Sequence, residues 1–244
     1  MFANATFSTA GRILRQLRHD KRTVALLIAL PTVLLTLVWA MYDGNQDSFN
    51  HVGLTLLGLF PFITMFLVTS VSMLRERTSG TLERFLTLPP GKANLLFGYG
   101  LAFSAAAVVQ ATVATSLACG PLGLDTGSPA LAALVAVTSA VLGVALGLLC
   151  SAFAQTEFQA VQFMPAVVMP QLLLCGLFVP RGDMSSWLQS VSDVLPLTYA
   201  VDALTELSDN GGPTGSMWAD LAVVAGVAAA ALVAASATVR RHSN

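Results

Sequence analysis

The residues that most often do chemistry are few in this sequence, and they form no catalytic pattern. The three histidines, His19, His51 and His242, lie at or outside the edges of long apolar runs, and neither H-E-x-x-H nor G-x-S-x-G occurs. The three cysteines lie inside apolar runs at unrelated spacings, which favours neither a disulfide framework nor a metal site. These residue types therefore predict neither an enzyme nor a metal protein.

A Gly-Lys pair in the stretch "PPGKAN" could indicate a phosphate-binding loop. However, Leu86 stands where that loop needs its first glycine, and Ala93 replaces its serine or threonine. We therefore expect this chain to bind no nucleotide and no other cofactor. The sequence offers no basic face for phosphates, so we expect no nucleic-acid partner.

The composition is typical of a membrane protein. Of the 244 residues, 55% are hydrophobic and only 10% are charged, whereas about a quarter of a soluble domain is charged. About 20 apolar residues are needed to cross the hydrocarbon core as a helix. The sequence predicts an all-α fold with six spans, at about 23–41, 52–74, 95–118, 130–152, 158–179 and 221–239.

The basic residues predict the orientation of these spans. If the N-terminus is cytoplasmic, every lysine and arginine except Arg181 falls on the inner side, as the positive-inside rule requires. Both termini and the segment 75–92 are then cytoplasmic, and the segment 180–219 is extracellular. We expect a multi-pass protein of a bacterial inner or plasma membrane.

Two segments outside the spans have amphipathic patterns. In 1–22, Ala10, Ile13, Leu14 and Leu17 share one helical face, which predicts an interfacial helix; a basic flank that only fixes topology is the alternative. In 180–219, two short amphipathic helices are predicted, broken at Pro196. They suggest a re-entrant hairpin that dips back to the membrane surface.

Polar residues within the spans are mild in character. Gln110 and Gln171 are expected to be deep, and an interhelical hydrogen bond is favoured over substrate contact for both. Small residues recur every four positions and predict close helix packing, at Ser139, Gly143, Gly147 and Ser151. Six residues of the second and fifth spans are candidates for lining a substrate cavity: Phe62, Met65, Phe66, Thr69, Phe163 and Gln171. For the aromatic face of the second span, a stripe that faces lipid is the alternative.

The charged segment 75–92 predicts a short helix that stops at Pro89 and Pro90. Such a helix is too short to be stable alone, so its apolar side chains Phe85 and Leu86 need a surface against which to be buried. A protein groove or the lipid headgroups could supply that surface. A basic loop that only sets topology is the simpler alternative.

Two motifs carry a resemblance to a known family. The stretch "RERTSGTLERFLTLPPGKANLLFGYGLAF" resembles the cytoplasmic loop of ABC-2-type permeases, the membrane subunits of ATP-binding-cassette exporters. The stretch "CGLFVPRGDMSSWLQSVSDVLPLTYAVDAL" is similar to their extracellular segment after the fifth span. The likeness covers nearly the whole chain and implies a single domain, 1–244, with the ABC-2 (type V exporter-like) fold.

The resemblance implies a coupling helix, gripped by an ATPase subunit, at Glu76, Gly80, Thr81, Leu82, Glu83, Arg84, Phe85 and Leu86. The resemblance of the extracellular stretch after the fifth span implies a gate at Trp187, Pro196, Leu197, Thr198 and Tyr199. The daunorubicin-resistance branch of multidrug exporters looks most similar.

The implied partners are two separately encoded ATPase subunits, which hold the ATP and Mg²⁺, and a second permease copy, identical or not. Membrane lipid surrounds the pair. Because the spans contain few fixed charges, we expect the substrate to be a hydrophobic or amphipathic compound such as a drug or lipid. Export of polysaccharide or glycolipid is the alternative.

Overall fold

The computed structural model describes residues 2–42, 44–78 and 92–241. These residues form nine α helices and one short 3₁₀ helix, without β strands among them. The predicted all-α class is confirmed for this part of the chain. In chain order the α helices are α1 Phe2–His19, α2 Lys21–Met41, α3 Gln46–Thr78, α4 Lys92–Cys119, α5 Pro129–Ser151, α6 Glu157–Leu174, α7 Ser186–Ser192, α8 Pro196–Asn210 and α9 Gly215–Arg241.

Five of the described helices, α2, α3, α4, α5 and α9, are long and apolar enough to cross a membrane. They coincide with the first four predicted spans and with the sixth. Helix α3 is longer than predicted, since it begins at Gln46 and ends at Thr78. Polar residues flank its apolar centre, and a hydropathy pattern marks only the part suited to hydrocarbon.

The fifth predicted span, 158–179, corresponds to a shorter helix, α6, which ends at Leu174. Gly176 adopts a φ of +97°, a conformation that favours glycine and stops the helix before Val179. The prediction placed this helix end too far along the chain because the residues after Gly176 are also apolar. That α6 crosses the membrane remains a prediction.

Helix α3 lies at the centre of the bundle. In its most apolar stretch 72% of the residues are buried, against 17% in α2 and 28% in α9. Its closest neighbour is α5, where a Cβ on Gly143 would lie 2.3 Å from the backbone oxygen of Phe62. A Cβ on Gly147 would lie 2.6 Å from the backbone oxygen of Phe66. The small-residue face predicted on α5 is therefore confirmed as a packing surface.

Helix α1 packs on the protein as well as presenting a polar face. Ala10 and Ile13 are each 4% exposed, whereas Leu14 is exposed. At the contact with α4, a Cβ on Gly98 would lie 2.7 Å from the Thr9 Cβ. The predicted amphipathic helix is present, and its apolar face is covered in part by α4.

The segment after α6 contains the two predicted short helices. Helix α8 begins at Pro196, where the sequence predicted the break, and it buries Ala200, Ala203, Leu204 and Leu207 in the main core. Helix α7 instead exposes Trp187, which is 68% exposed, and Val191, whereas its Leu188 is half-buried. One half of the hairpin is thus part of the bundle, and the other half is a surface feature.

Candidate coupling and transport site

The C-terminal end of α3 forms the first part of the predicted coupling segment 75–92, since the helix continues to Thr78. Of the predicted coupling residues, the structure describes Glu76. The others lie outside the described residues: Gly80, Thr81, Leu82, Glu83, Arg84, Phe85 and Leu86. Their roles remain predictions. The site is therefore described from the last turn of α3 and the elements that contact it.

Three consecutive residues on this turn contact three different helices. Glu76 accepts a hydrogen bond from Nη2 of Arg12 on α1, at 3.2 Å. Arg75 donates from Nε and Nη2 to the two carboxylate oxygens of Glu157 on α6, at 2.8 and 2.9 Å. Arg77 donates to the backbone oxygen of Ser151, the last residue of α5. A displacement of this turn would therefore act on α1, α5 and α6.

Successive residues of a helix point about 100° apart. The consecutive residues Arg75, Glu76 and Arg77 can therefore reach partners on three different helices. Arg75, Arg77 and Glu157 were not predicted from the sequence as contact residues. One signal was available: Glu157 is an acid next to a predicted span, on the same predicted side as the arginines of 75–92. The bidentate geometry of the pair, however, can be seen only in the fold.

The Arg75–Glu157 pair is open to solvent, with the two side chains 66% and 50% exposed. Hydrogen bonding from Arg75 lowers the pKa of Glu157 below its ordinary value. The carboxylate is therefore charged at neutral pH, as the ion pair requires. Exposed pairs of this kind contribute little to stability, so this one fixes geometry more than it holds the fold together.

Asp20 caps the start of α2 close to the same turn. It accepts hydrogen bonds from the backbone N–H of Thr23 at 3.2 Å and from the Thr23 hydroxyl at 2.6 Å, which lower the pKa of Asp20. Asp20, Arg75 and Glu76 line a cavity of about 160 Å³ between α1, α3 and α4. Side chains of both charges thus lie around the last turn of α3.

The candidate cavity residues on α3 are interior in this single chain. Phe62, Met65, Phe66 and Thr69 are each 0% exposed. The backbone of Phe62 and Phe66 is packed closely against Gly143 and Gly147 of α5. These four residues would line a pathway only if α3 moved away from its neighbours.

The two other cavity candidates lie on α6. Phe163 is half-buried and packs beside a small cluster formed by Leu74, Ala154 and Ala160. Gln171 is 2% exposed, and its Oε1 accepts a hydrogen bond from the backbone N–H of Leu197 at 3.2 Å. The favoured interpretation of Gln171 as a residue that links helices is confirmed.

Gln110 likewise links two helices, since its side-chain amide donates to the hydroxyl of Thr64 on α3. Thr64 also donates to the backbone oxygen of Phe60 at 2.9 Å, within its own helix. Both deep glutamines thus make the hydrogen bonds favoured by the sequence.

The candidate gate residues occupy two environments. Leu197 and Thr198 are 0% exposed at the start of α8, and Thr198 shares a hydrogen bond with Ser192 at 3.3 Å. Tyr199 donates from its hydroxyl to the backbone oxygen of Asp193 at 2.7 Å, and Pro196 is half-buried at N1 of α8. Trp187 is exposed on α7. The hydrogen bonds of Thr198 and Tyr199 hold the turn between α7 and α8 together. Trp187 lies on the outer surface of the hairpin.

Arg181 links the two helices of the α7–α8 hairpin. Its guanidinium forms ion pairs with Asp193 at the end of α7 and with Asp202 on α8. Burial raises the pKa of Asp202, and the positive charge of Arg181 opposes that rise. Arg181, which the sequence places as the one basic residue on the outer side, therefore pairs with a carboxylate just after α7 and with another on α8.

Comparison with known proteins identifies the class. The ABC-2 type transporter family matches residues 5–207. The chain is 29% identical to ABC transporter G family member 20 of Dictyostelium discoideum over 69% of its length and 23% of that protein. It is 28% identical to the probable multidrug ABC transporter permease YbhR of Escherichia coli (strain K12), over 74% of the chain and 49% of YbhR.

A further relative is the linearmycin resistance permease protein LnrN of Bacillus subtilis (strain 168), 26% identical over 63% of the chain and 40% of LnrN. The chain thus spans half or less of the length of these curated relatives. Because the family match covers most of the chain and includes α1 to α7, this chain belongs to the ABC-2 type transporter family. The predicted resemblance is confirmed.

Proposed function

We propose that this chain is the permease subunit of an ABC exporter that moves hydrophobic or amphipathic compounds out of the cell. ATP is hydrolysed by two separate ATPase subunits. The observation that carries this proposal is the family match over residues 5–207. It is supported by the last turn of α3, which contacts three helices at the start of the predicted coupling segment 75–92.

Two observations support the substrate class. YbhR is named as a probable multidrug permease and LnrN as a linearmycin resistance permease. The stretches 23–41, 52–74, 95–118, 130–152 and 221–239 contain no Asp, Glu, Lys or Arg. A substrate that passes between such helices would find few charged side chains to pair with a charge of its own. An apolar or amphipathic compound is therefore the substrate that these helices favour.

We place the substrate pathway between two permease copies. In one chain the aromatic face of α3 is fully buried, whereas α6 exposes an apolar face of its own. Exposed side chains on that face are Phe158, Val161, Met169 and Leu173. A second copy that packs opposite α6 would enclose a pathway lined largely by apolar side chains.

The orientation follows from the positive charges, with both termini and 75–92 in the cytoplasm. ATP binding brings the ATPase subunits together and displaces the coupling segment, and the last turn of α3 moves with it. The contacts of Arg75, Glu76 and Arg77 pass this movement to α6, α1 and α5. The pathway then opens on the side of the α7–α8 hairpin.

The test is reconstitution of the permease and its ATPase subunits in proteoliposomes. Drug-stimulated ATP hydrolysis is expected in the parent complex and should be abolished by Glu83→Ala combined with Phe85→Ala. A complex that hydrolyses ATP without any response to amphipathic drugs, but responds to a glycolipid, would favour the polysaccharide or glycolipid alternative. Purified permease that associates with no ATPase subunit would contradict the proposal.

A further inference from the structure

Helix α6 is held by hydrogen bonds at both of its ends. At the start, the Glu157 carboxylate accepts two hydrogen bonds from Arg75. Near the other end, Gln171 Oε1 accepts from the backbone N–H of Leu197, at the start of α8. The Ser192 hydroxyl donates to the backbone oxygen of Leu174, the last residue of α6, at 2.9 Å. Helix α6 therefore connects the last turn of α3 to the α7–α8 hairpin.

The turn before α6 is held as well. Arg77 binds the backbone oxygen of Ser151, immediately before the turn 152–156. Arg75, two residues earlier, binds Glu157 immediately after it. Both ends of this turn are thus attached to one turn of α3. A movement of α3 at this point would therefore act on the start of α6.

Between its ends, α6 is packed only lightly. Of its 18 residues, the buried ones are Ala160, Val168 and Gln171. A helix of that length spans roughly 27 Å at 1.5 Å per residue, comparable with the hydrocarbon core of a bilayer. Few side-chain contacts within this chain would have to be broken for such a helix to shift along its axis. The central helix α3, by contrast, is embedded on most sides.

We propose that α6 transmits movement from the last turn of α3 to the α7–α8 hairpin. The Arg75–Glu157 pair is the connection at which movement enters, and the Gln171–Leu197 hydrogen bond is the connection at which it leaves. This proposal rests on the proposed function, since the movement originates in ATP hydrolysis by partner subunits. Arg75, Glu157 and Gln171 are positioning residues that need not touch the substrate.

The experiment reports hairpin movement directly. A single cysteine replaces Ser190, an exposed residue of α7, in a variant whose three native cysteines are alanine. The complex with its ATPase subunits is reconstituted in lipid nanodiscs, which leave both membrane faces accessible, and labelling by a thiol-reactive maleimide is timed with and without Mg-ATP. In the parent, Mg-ATP should change the labelling rate. Arg75→Ala or Gln171→Leu should reduce that change by roughly 2- to 30-fold.

The charge-reversed variant, Arg75→Glu with Glu157→Arg, distinguishes transmission from a general loss of charge. It should restore the response to Mg-ATP, because the ion pair is formed again in the opposite sense. Arg18→Ala, which removes another exposed cation from the same predicted side, is the matched control and should respond like the parent. Elution as a single folded species in size-exclusion chromatography is checked for every variant.

The outcomes are distinct. If the parent shows neither drug-stimulated ATP hydrolysis nor a change in labelling, the proposed function itself fails. If the parent is stimulated but position 190 does not respond, or if Arg75→Ala and Gln171→Leu both keep the full response, only the role of α6 is overturned. Failure of the charge-reversed variant to recover, while it elutes as a folded species, would also contradict that role.

Discussion

The contact between α3 and α5 predicts a specific sensitivity to added volume. In Gly143→Ala, the new methyl group would lie 2.3 Å from the Phe62 backbone oxygen, closer than Cβ atoms pack in proteins. The oxygen belongs to a central helix and cannot rotate away as a side-chain end could. The two helices must therefore separate locally or the new side chain must remain strained.

The magnitude follows from two opposing effects. Overpacking in a well-packed interior costs about 1–3 kcal/mol, whereas replacing a helical glycine with alanine gains roughly 0.5–1 kcal/mol. We expect a net loss of roughly 1–2 kcal/mol for Gly143→Ala. The matched control is Gly226→Ala on α9, where an added Cβ would meet no atom within 4 Å. That variant should be neutral or slightly stabilised.

The assay is unfolding of the purified permease in mixed micelles by titration with a denaturing detergent, followed by circular dichroism. The midpoint for Gly143→Ala should lie below that of the parent, and the midpoint for Gly226→Ala should not. Equal midpoints for the two variants would refute the close α3–α5 packing. So would a Gly143→Ala variant that is more stable than the parent.

Three further results are expected. Gln110→Leu, which removes the hydrogen bond to Thr64, should lower the free energy of unfolding by about 0.6 kcal/mol in the same titration; no change would mean that this hydrogen bond contributes nothing. Because Arg75 lowers the pKa of Glu157, the stabilisation from their pair is present above the ordinary value of 4.5 and lost as the pH falls through the lowered value. The difference in melting temperature between the parent and Glu157→Gln should therefore shrink on acidification below 4.5, and a difference that grows would contradict the pairing. In a variant whose other two tryptophans are phenylalanine, Trp187 fluorescence should be quenched by lipids brominated near the headgroup, and a complete lack of quenching would exclude a hairpin at the membrane surface.

The helices could be predicted from the sequence because the physical requirement behind them is simple. A stretch such as 130–152 must satisfy its backbone internally in hydrocarbon, so its apolar length alone predicts a helix. The recurrence of small residues on the same stretch also predicted close packing, since little other than helix contact explains Gly143 and Gly147 in register. The break at Pro196 followed in the same way from backbone chemistry.

The contacts of the site could not be predicted in this way. Arg75 and Glu157 are 82 positions apart, and only the packing of α6 beside α3 brings them together. The cavity candidates on α3 show the opposite difficulty. An aromatic face such as that of Phe62 and Phe66 is compatible with lipid, a pathway or the interior, and only the neighbouring glycines of α5 determine that it is interior in one chain.

An ATPase subunit can drive this permease only if it can reach the segment between α3 and α4. A single cysteine in place of Arg84, in a variant without native cysteines, tests this with a membrane-impermeant maleimide. A cysteine in place of Asp209, on the predicted outer side, is the control. We expect position 209 to be labelled on intact cells and position 84 only after the membrane is permeabilised. Labelling of position 84 on intact cells would contradict the account.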